Sequence, residues 1–228
     1  MKIKVLFSCA ALALPLLAIA DESAPASVGI GFNGGLSGAG ADLTVRMSNY
    51  FNVRAMAAGL TVTRDGNYGT SDSWSAKLKL FQAGALLDYF PFAGGFHLTA
   101  GAVYDGNKID AQPNGGTLTF NGTTYQISQL GSAGGTVEWN KVVPYLGIGA
   151  GNGVGSRGLH VTADAGVLFT GSPTSTLSAT CGAAAIALDP TCQSTLNANV
   201  QVEQNKLRDN TGNLKYWPVA RIGINSAF

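Results

Sequence analysis

The sequence predicts an all-β chain: an eight-stranded antiparallel transmembrane β-barrel with short turns at one end and longer loops at the other. Three observations predict it. Short segments alternate apolar and polar residues with period two, so each would present one greasy and one polar face as a strand. Beyond the N-terminal leader no apolar stretch approaches 18 residues, which rules out a membrane-spanning helix. Yet the mean hydropathy is +0.17 and only 12% of residues are charged. Lipid-facing residues on alternate positions of many short strands reconcile the two.

The leader itself, "MKIKVLFSCAALALPLLAIADES", carries Lys2 and Lys4 ahead of an apolar run to Ile19 and ends on the small-x-small pattern of a secretory signal. Residues 1–20 are therefore expected to be cleaved, leaving 21–228 as one barrel domain. The tripeptide before Cys9 resembles a lipoprotein box only faintly, and the apolar run continues for ten more residues, which argues against lipidation there. Cleavage removes two lysines and no acid, turning a formal charge of +1 into −1. Nucleic-acid partners do not fit that balance. Cys181 and Cys192 then remain as an even pair in an exported chain, which suggests a disulfide rather than a metal site.

The elements follow in order. "SVGIGFNGG" puts Val28, Ile30 and Phe32 on one parity, and "ADLTVRM" puts Leu43, Val45 and Met47 opposite Asp42, Thr44 and Arg46. With "LSGAG" as the connection, these form a first hairpin. "NVRAMAAGLTVT" runs out to the polar "RDGNYGTSDS" and "WSAKLKLFQAGALLDYFP" returns. In the latter, Phe81, Leu87 and Tyr89 suit an outer face with Gln82 and Asp88 inside, whereas Leu78 and Leu80 have the opposite phase. A bulge, or emergence from the membrane near Leu80, would account for the switch.

"FHLTAGAVYDG" is the fifth strand, and a long loop follows in which "TLTFNGTTYQI" carries the Asn121-Gly122 hairpin signal. "VEWNKVVPYLGIGAG", "LHVTADAGVLFTG" and "PVARIGINSAF" complete eight strands, with a helix-like "LNANVQVEQNKLRD" in the segment 171–213. Short turns fall near 48–51, 91–95 and 153–158, and longer loops fall between them. Outer-membrane barrels show this asymmetry, with both chain ends on the periplasmic side.

The stretches "GALLDYFPFAGGFHLTAGAVYDGNK", "NGTTY", "VVPYLGIGAG", "DAGVLFTGSP" and "YWPVARIGINSAF" resemble a family of small, largely uncharacterised proteobacterial outer-membrane proteins, akin in architecture to OmpA-like barrels. The resemblance implies a Gram-negative cell-envelope location in the outer membrane and contact with its lipid and lipopolysaccharide. It also implies that the terminal Phe228 is a signal read by the barrel assembly machinery. Ser226, Ala227 and Phe228 lack the extra aromatic and Arg such endings often have, and Cys181 and Cys192 are not part of the pattern.

Candidate chemistry is sparse. The glycines of "GIGAGNGVG" lack the following helix and Lys-Ser/Thr pair of a nucleotide loop, so Gly147, Gly149 and Gly151 more simply make room for large side chains crossing the lumen. His97 and His160 raise a lipid A-modifying hydrolase, but a nucleophilic Ser and an orienting acid should accompany them, and parity puts both histidines in the lumen near the periplasmic turns. "DNTGN" at 209–213 is too short for a calcium loop. Lys77 and Lys79 fall where strand four passes the outer headgroups, as phosphate contacts or as solvated lysines.

Parity also sends Asp42, Arg46, Arg54, Asp88, Lys141, Asp164 and Arg221 inward as a charge network. Arg54 and Asp88, beside the turns, are the pair that would most readily meet solvent. An eight-stranded interior is just wide enough for its own side chains. The expectation is a non-enzymatic, cofactor-free, monomeric barrel with a plugged lumen, structural or surface-interacting; the alternatives are a narrow, porin-like passive channel and a lipid A hydrolase.

Overall fold

The computed structural model describes residues 26–68 and 72–228; the expected signal, residues 1–20, lies outside them. In chain order the strands are β1 (Val28–Gly35), β2 (Gly38–Arg46), β3 (Phe51–Tyr68), β4 (Asp72–Tyr89), β5 (His97–Asp105), β6 (Lys108–Phe120), β7 (Thr123–Gln126), β8 (Leu130–Glu138), β9 (Val142–Ala150), β10 (Gly158–Phe169), β11 (Thr174–Cys181) and β12 (Tyr216–Ala227). Two helices, α1 (Ala183–Leu188) and α2 (Cys192–Thr211), follow β11. All pairings are antiparallel. β1 to β5, β9, β10 and β12 close a ring of eight, sealed where Phe32 of β1 lies opposite Ile224 of β12.

The expectation of eight strands holds for the ring and falls short for the chain. The other four strands extend the sheet beyond it. β3 and β4 are 18 residues each and pair in one unbroken register from Phe51–Tyr89 to Tyr68–Asp72. The lower part of β4 bonds β5, while its upper part bonds β6, which in turn pairs β8, and β8 pairs β11. The change of neighbour leaves no bare backbone: Gly106 N–H donates to Phe81 O at 2.7 Å, and Phe81 N–H donates to Asn107 Oδ1 at 3.1 Å. The hairpin at Asn121-Gly122 is present, joining β6 to β7 with both residues at positive φ, 50° and 79°.

In the ring the pleat sends apolar residues out. Leu43, Val45, Val53, Leu87, Leu98, Leu146 and Ile224 are all exposed, while Asp42, Thr44, Asn52, Arg54 and Asp88 are buried. Above Gly59 and Phe81 the same parity carries the opposite chemistry. The outward positions there form two cross-strand rows, Thr61–Lys79–Lys108–Glu138–Thr174 and Thr63–Lys77–Asp110–Thr136–Thr176. The inward positions between those rows are Val62, Leu78, Ile109 and Val137. Of the two explanations for the phase switch at Leu80, the register removes the bulge, since β3 and β4 pair without interruption through it.

Helix α2 packs on the inward side of this external sheet. Leu196 and Val200 are buried against Leu118 and Phe120 of β6 and Ala179 and Cys181 of β11. A disulfide joins Cys181 to Cys192 and fastens the start of the helix to the strand it covers. The helix-like stretch read from the sequence is thus one face of a small sandwich. No helix among the described residues is long and apolar enough to cross a membrane.

Candidate functional site

The interior of the ring is the most chemically distinctive part of the molecule, and it is stacked in layers. At the turn end, the β9–β10 connection folds into the mouth. Val154 is fully buried beside Ala26 and Ala227, and Asn52 Nδ2 donates to Asn152 Oδ1 at 3.0 Å.

Next comes the charged layer. Arg54 on β3 donates to both oxygens of Asp164 at 3.0 and 2.9 Å and to Asp88 Oδ1 at 2.9 Å. Arg221 on β12 donates from Nε to Asp164 Oδ2 at 3.2 Å and lies 3.8 Å from Asp42. Asp42 accepts from Asn33 at 2.7 Å, and Asp88 accepts from Thr99 at 2.7 Å. Each of these five ionic side chains is no more than 6% exposed. Two guanidiniums therefore tie together three carboxylates, each of the five groups on a strand of its own. Burying an ion costs several kcal/mol unless a partner with good hydrogen bonds offsets it, and the forked guanidinium supplies such bonds in pairs.

Two of the seven expected members lie elsewhere. Arg46 sits at the turn-end rim, where its Nη1 donates to Val154 O at 3.3 Å and Gly155 O at 2.9 Å and its Nη2 donates to Asn49 Oδ1. It clamps the turn that closes the mouth. Lys141 is at the opposite rim, half exposed and 3.9 Å from Glu138. Strand parity had assigned the face correctly for Arg46, but parity says nothing of height, and height decides whether a charge meets solvent. Arg54 and Asp88 correct the reading the other way: they belong to the centre of the network, not to its wet edge.

His97 completes the layer and was not among the seven. Its Nε2 lies 3.1 Å from Asp164 Oδ1 and its Nδ1 lies 3.3 Å from Gly95 O, with the Phe90 ring packed beside it. A Cβ at Gly149 would strike this imidazole, and one at Gly147 or Gly166 would strike the Tyr145 hydroxyl. Gly147 and Gly149 thus make the room expected of them. Gly151 does something else: at φ +92° it lies against the Val161 carbonyl as the chain turns.

Above the charged layer an apolar cluster crosses the lumen, which alternation alone had not shown, with Gln82 and Ser37 as a buried polar pair beside it. Met56, Leu86, Val103, Val143, Leu168 and Val219 pack across it, with Trp217 against them. Trp139 meets Trp217 edge-on at 5.3 Å and donates from Nε1 to Leu214 O at 3.0 Å. Two small cavities interrupt the lumen, one beside Arg54 and His97 and one beside Gln82 and Arg221, each about 10 Å³. Each is no larger than a single water needs.

His160 lies at the turn end, where Nε2 is 2.8 Å from Ser156 O and 3.5 Å from Ser156 Oγ. No carboxylate bonds this imidazole among the described residues. Nor do any three His, Cys, Asp or Glu side chains among them form a metal-holding group. The terminal residue pairs by its backbone with β1, Phe228 N–H donating to Val28 O at 3.0 Å, and its ring is 45% exposed on the outward face.

A closed antiparallel ring of eight strands, filled by side chains and crowned by a helix-backed sheet, is the class that fold and interior define. Solved structures with a similar fold include Acinetobacter baumannii CarO2, at 18% identity and TM-score 0.56 over 90% of this chain and 99% of that one. Another is Acinetobacter baumannii CarO, at 20% identity and TM-score 0.55 over 92% of this chain and all of that one. At these identities the likeness is one of fold. No family model and no curated sequence matches the chain.

Proposed function

We propose that this chain is an integral outer-membrane β-barrel protein whose lumen is closed to solutes and whose work is done by the external sheet, in a structural or surface-interacting role. The observation that carries the reading is the stack of layers inside the ring. Val154 fills the turn end, the Arg54–Asp164 network and the apolar layer cross the lumen above it, and the two cavities beside Arg54 and Arg221 are about 10 Å³ each.

The outer wall supports the membrane part. Its outward residues are apolar and exposed around the ring, a pattern that suits lipid and not water. Aromatic pairs mark two heights: Phe51 stacks on Tyr89 near the turns, while Phe81–Tyr104 and Phe169–Tyr216 lie near the loops. Phe81 and Tyr89 share β4 and are eight residues apart. At ~3.3 Å per residue and a tilt of ~40° they are separated by roughly 20 Å along the barrel axis, close to the height of an outer-membrane apolar band.

Planar-bilayer recording of the refolded mature protein tests the closed lumen. Negligible conductance is expected. Stable, well-resolved open channels would establish the passive-channel alternative instead.

A further inference from the structure

We infer that the outward face of the external sheet is a docking surface for the headgroup of a phosphorylated glycolipid in the surrounding outer leaflet. The inference rests on the outer-membrane reading above and adds a partner to it.

The face is continuous with the lipid-facing wall. Following outward positions up β4, the residues are Tyr89, Leu87, Phe81, then Lys79 and Lys77, in one register with no bulge against β3. A lipid lying against Leu87 and Phe81 therefore reaches this face without turning a corner. The other face of the sheet is covered by α2 over β6, β8 and β11.

Its chemistry is layered in the order that a glycolipid is. The row next to the aromatic pair Phe81–Tyr104 carries Lys79 and Lys108, at the height where phosphates on the innermost sugars would lie. Lys79 and Lys108 both meet Asp110 at 3.1 Å, and Lys108 also meets Glu138 at 3.2 Å. Three lysines stand against two acids in these rows, so a net positive charge remains, and the exposed Lys77 carries it. Lys77 has no hydrogen-bond or ion-pair partner among the described residues. Basic clusters beside a membrane surface attract anionic headgroups, and an ammonium binds phosphate as a compact point charge.

Farther from the ring the face turns to hydroxyls. A depression of about 480 Å³ over β6, β8 and β11 begins at Asp110 and Glu138, the acids paired with the lysines, and is lined beyond them by Ser132, Thr136, Thr176 and Ser178. Gly134 opens its floor opposite Ser178. A shallow trough of short donor-acceptor side chains suits saccharide hydroxyls, which need many neutral hydrogen bonds and little depth.

The test uses the full mature chain in detergent, with three lipids: a bis-phosphorylated rough lipopolysaccharide, the same glycolipid after enzymatic dephosphorylation, and phosphatidylglycerol. Glycolipid retained per chain is measured by native mass spectrometry. Heat-modifiable gel mobility is recorded on each sample. The phosphorylated glycolipid should be retained by the wild type, and the dephosphorylated one should be retained roughly tenfold less. Lys77→Glu with Lys108→Glu should lower retention by a similar factor. Because Lys108 holds two ion pairs, Lys77→Glu alone is the second variant, with a loss of about threefold. Equal retention of all three lipids by folded wild type, or unchanged retention by folded Lys77→Glu, overturns the docking surface and leaves the barrel reading intact. A wild type with no heat-modifiable folded form overturns both.

Discussion

The ring and the external sheet are the same β-structure with its faces exchanged. In the ring the outward positions are Val45, Val53 and Leu87 and the inward ones are Asp42, Arg54 and Asp88. A few residues higher, outward positions are Thr63, Lys77 and Asp110 and inward ones are Val62, Leu78 and Ile109. Strands β3 and β4 run through both regions without a break, so backbone geometry cannot be what sorts the residues. The surroundings proposed for each side account for the sorting: apolar area gains by leaving water, as it would against lipid, whereas a polar face gains only where water or headgroups can meet it. A period-two pattern therefore specifies two faces, and the position along the strand specifies which of them is the core.

The contrast is broken most severely from within. Arg54→Ala takes from Asp88 its ionic partner inside the ring and leaves Asp164 to Arg221 and His97, and breaking a buried network this way costs about 3–5 kcal/mol. Urea titration followed by heat-modifiable mobility should show a large fall in the unfolding midpoint. A shift of under a quarter of that would mean that the layer is wet.

Exchanging the faces from outside comes next. Val45→Arg puts a charge on the lipid side and should cost about 2–4 kcal/mol, whereas Thr63→Leu on the outward face of the external sheet should stay within ~0.5 kcal/mol. Folding yield into lipid vesicles measures both. Equal sensitivity at the two sites would contradict the exchange of faces.

The external sheet can be loosened by itself. Replacing Cys181 and Cys192 with Ser opens a loop with a sequence separation of 11. The loss is at most about 3 kcal/mol by loop entropy. It should appear as faster proteolysis within α2 while the ring stays protease-resistant.

The smallest effect concerns pH at Asp110. Burial pushes its carboxyl up, but hydrogen bonds from Lys79, Lys108 and Thr136 prevail and hold it below the ordinary carboxylate range. Its contribution is complete above the unfolded value near ~4 and is lost as pH falls through the lower folded value; in so exposed a place it is worth no more than about 1 kcal/mol. Asp110→Asn should remove a slight acid dependence from the proteolytic stability of the external sheet and leave the ring unaffected.

The ring was legible in the sequence because most of its strands alternate apolar and polar residues with period two, and even β4 does so up to its change of phase at Leu80. β8 and β11 were not legible. "LGSAGGTVE" and "TSTLSATC" set hydroxyls against glycine and alanine, a contrast too weak to mark a face before α2 and its disulfide are in place. In the lumen, parity found Asp42, Arg54, Asp88, Asp164 and Arg221. It missed the importance of His97, whose partner Asp164 is 67 residues away in sequence. The apolar layer stayed hidden because Leu86 and Leu168 stand next to outward Leu87 and inward-outward runs of their own kind, where alternation fades.

The joint at Phe81 has a mechanical consequence. Since β3 and β4 cross it as two continuous strands in one register, with Gly106 and Asn107 splinting the gap left where β5 departs, the external sheet is a cantilever and not a tethered lid. Its angle to the axis of the ring is set by the tilt of two ring strands. A pull on α2 would load those strands directly, and the sheet would turn with the ring as one body, holding a fixed pitch to it.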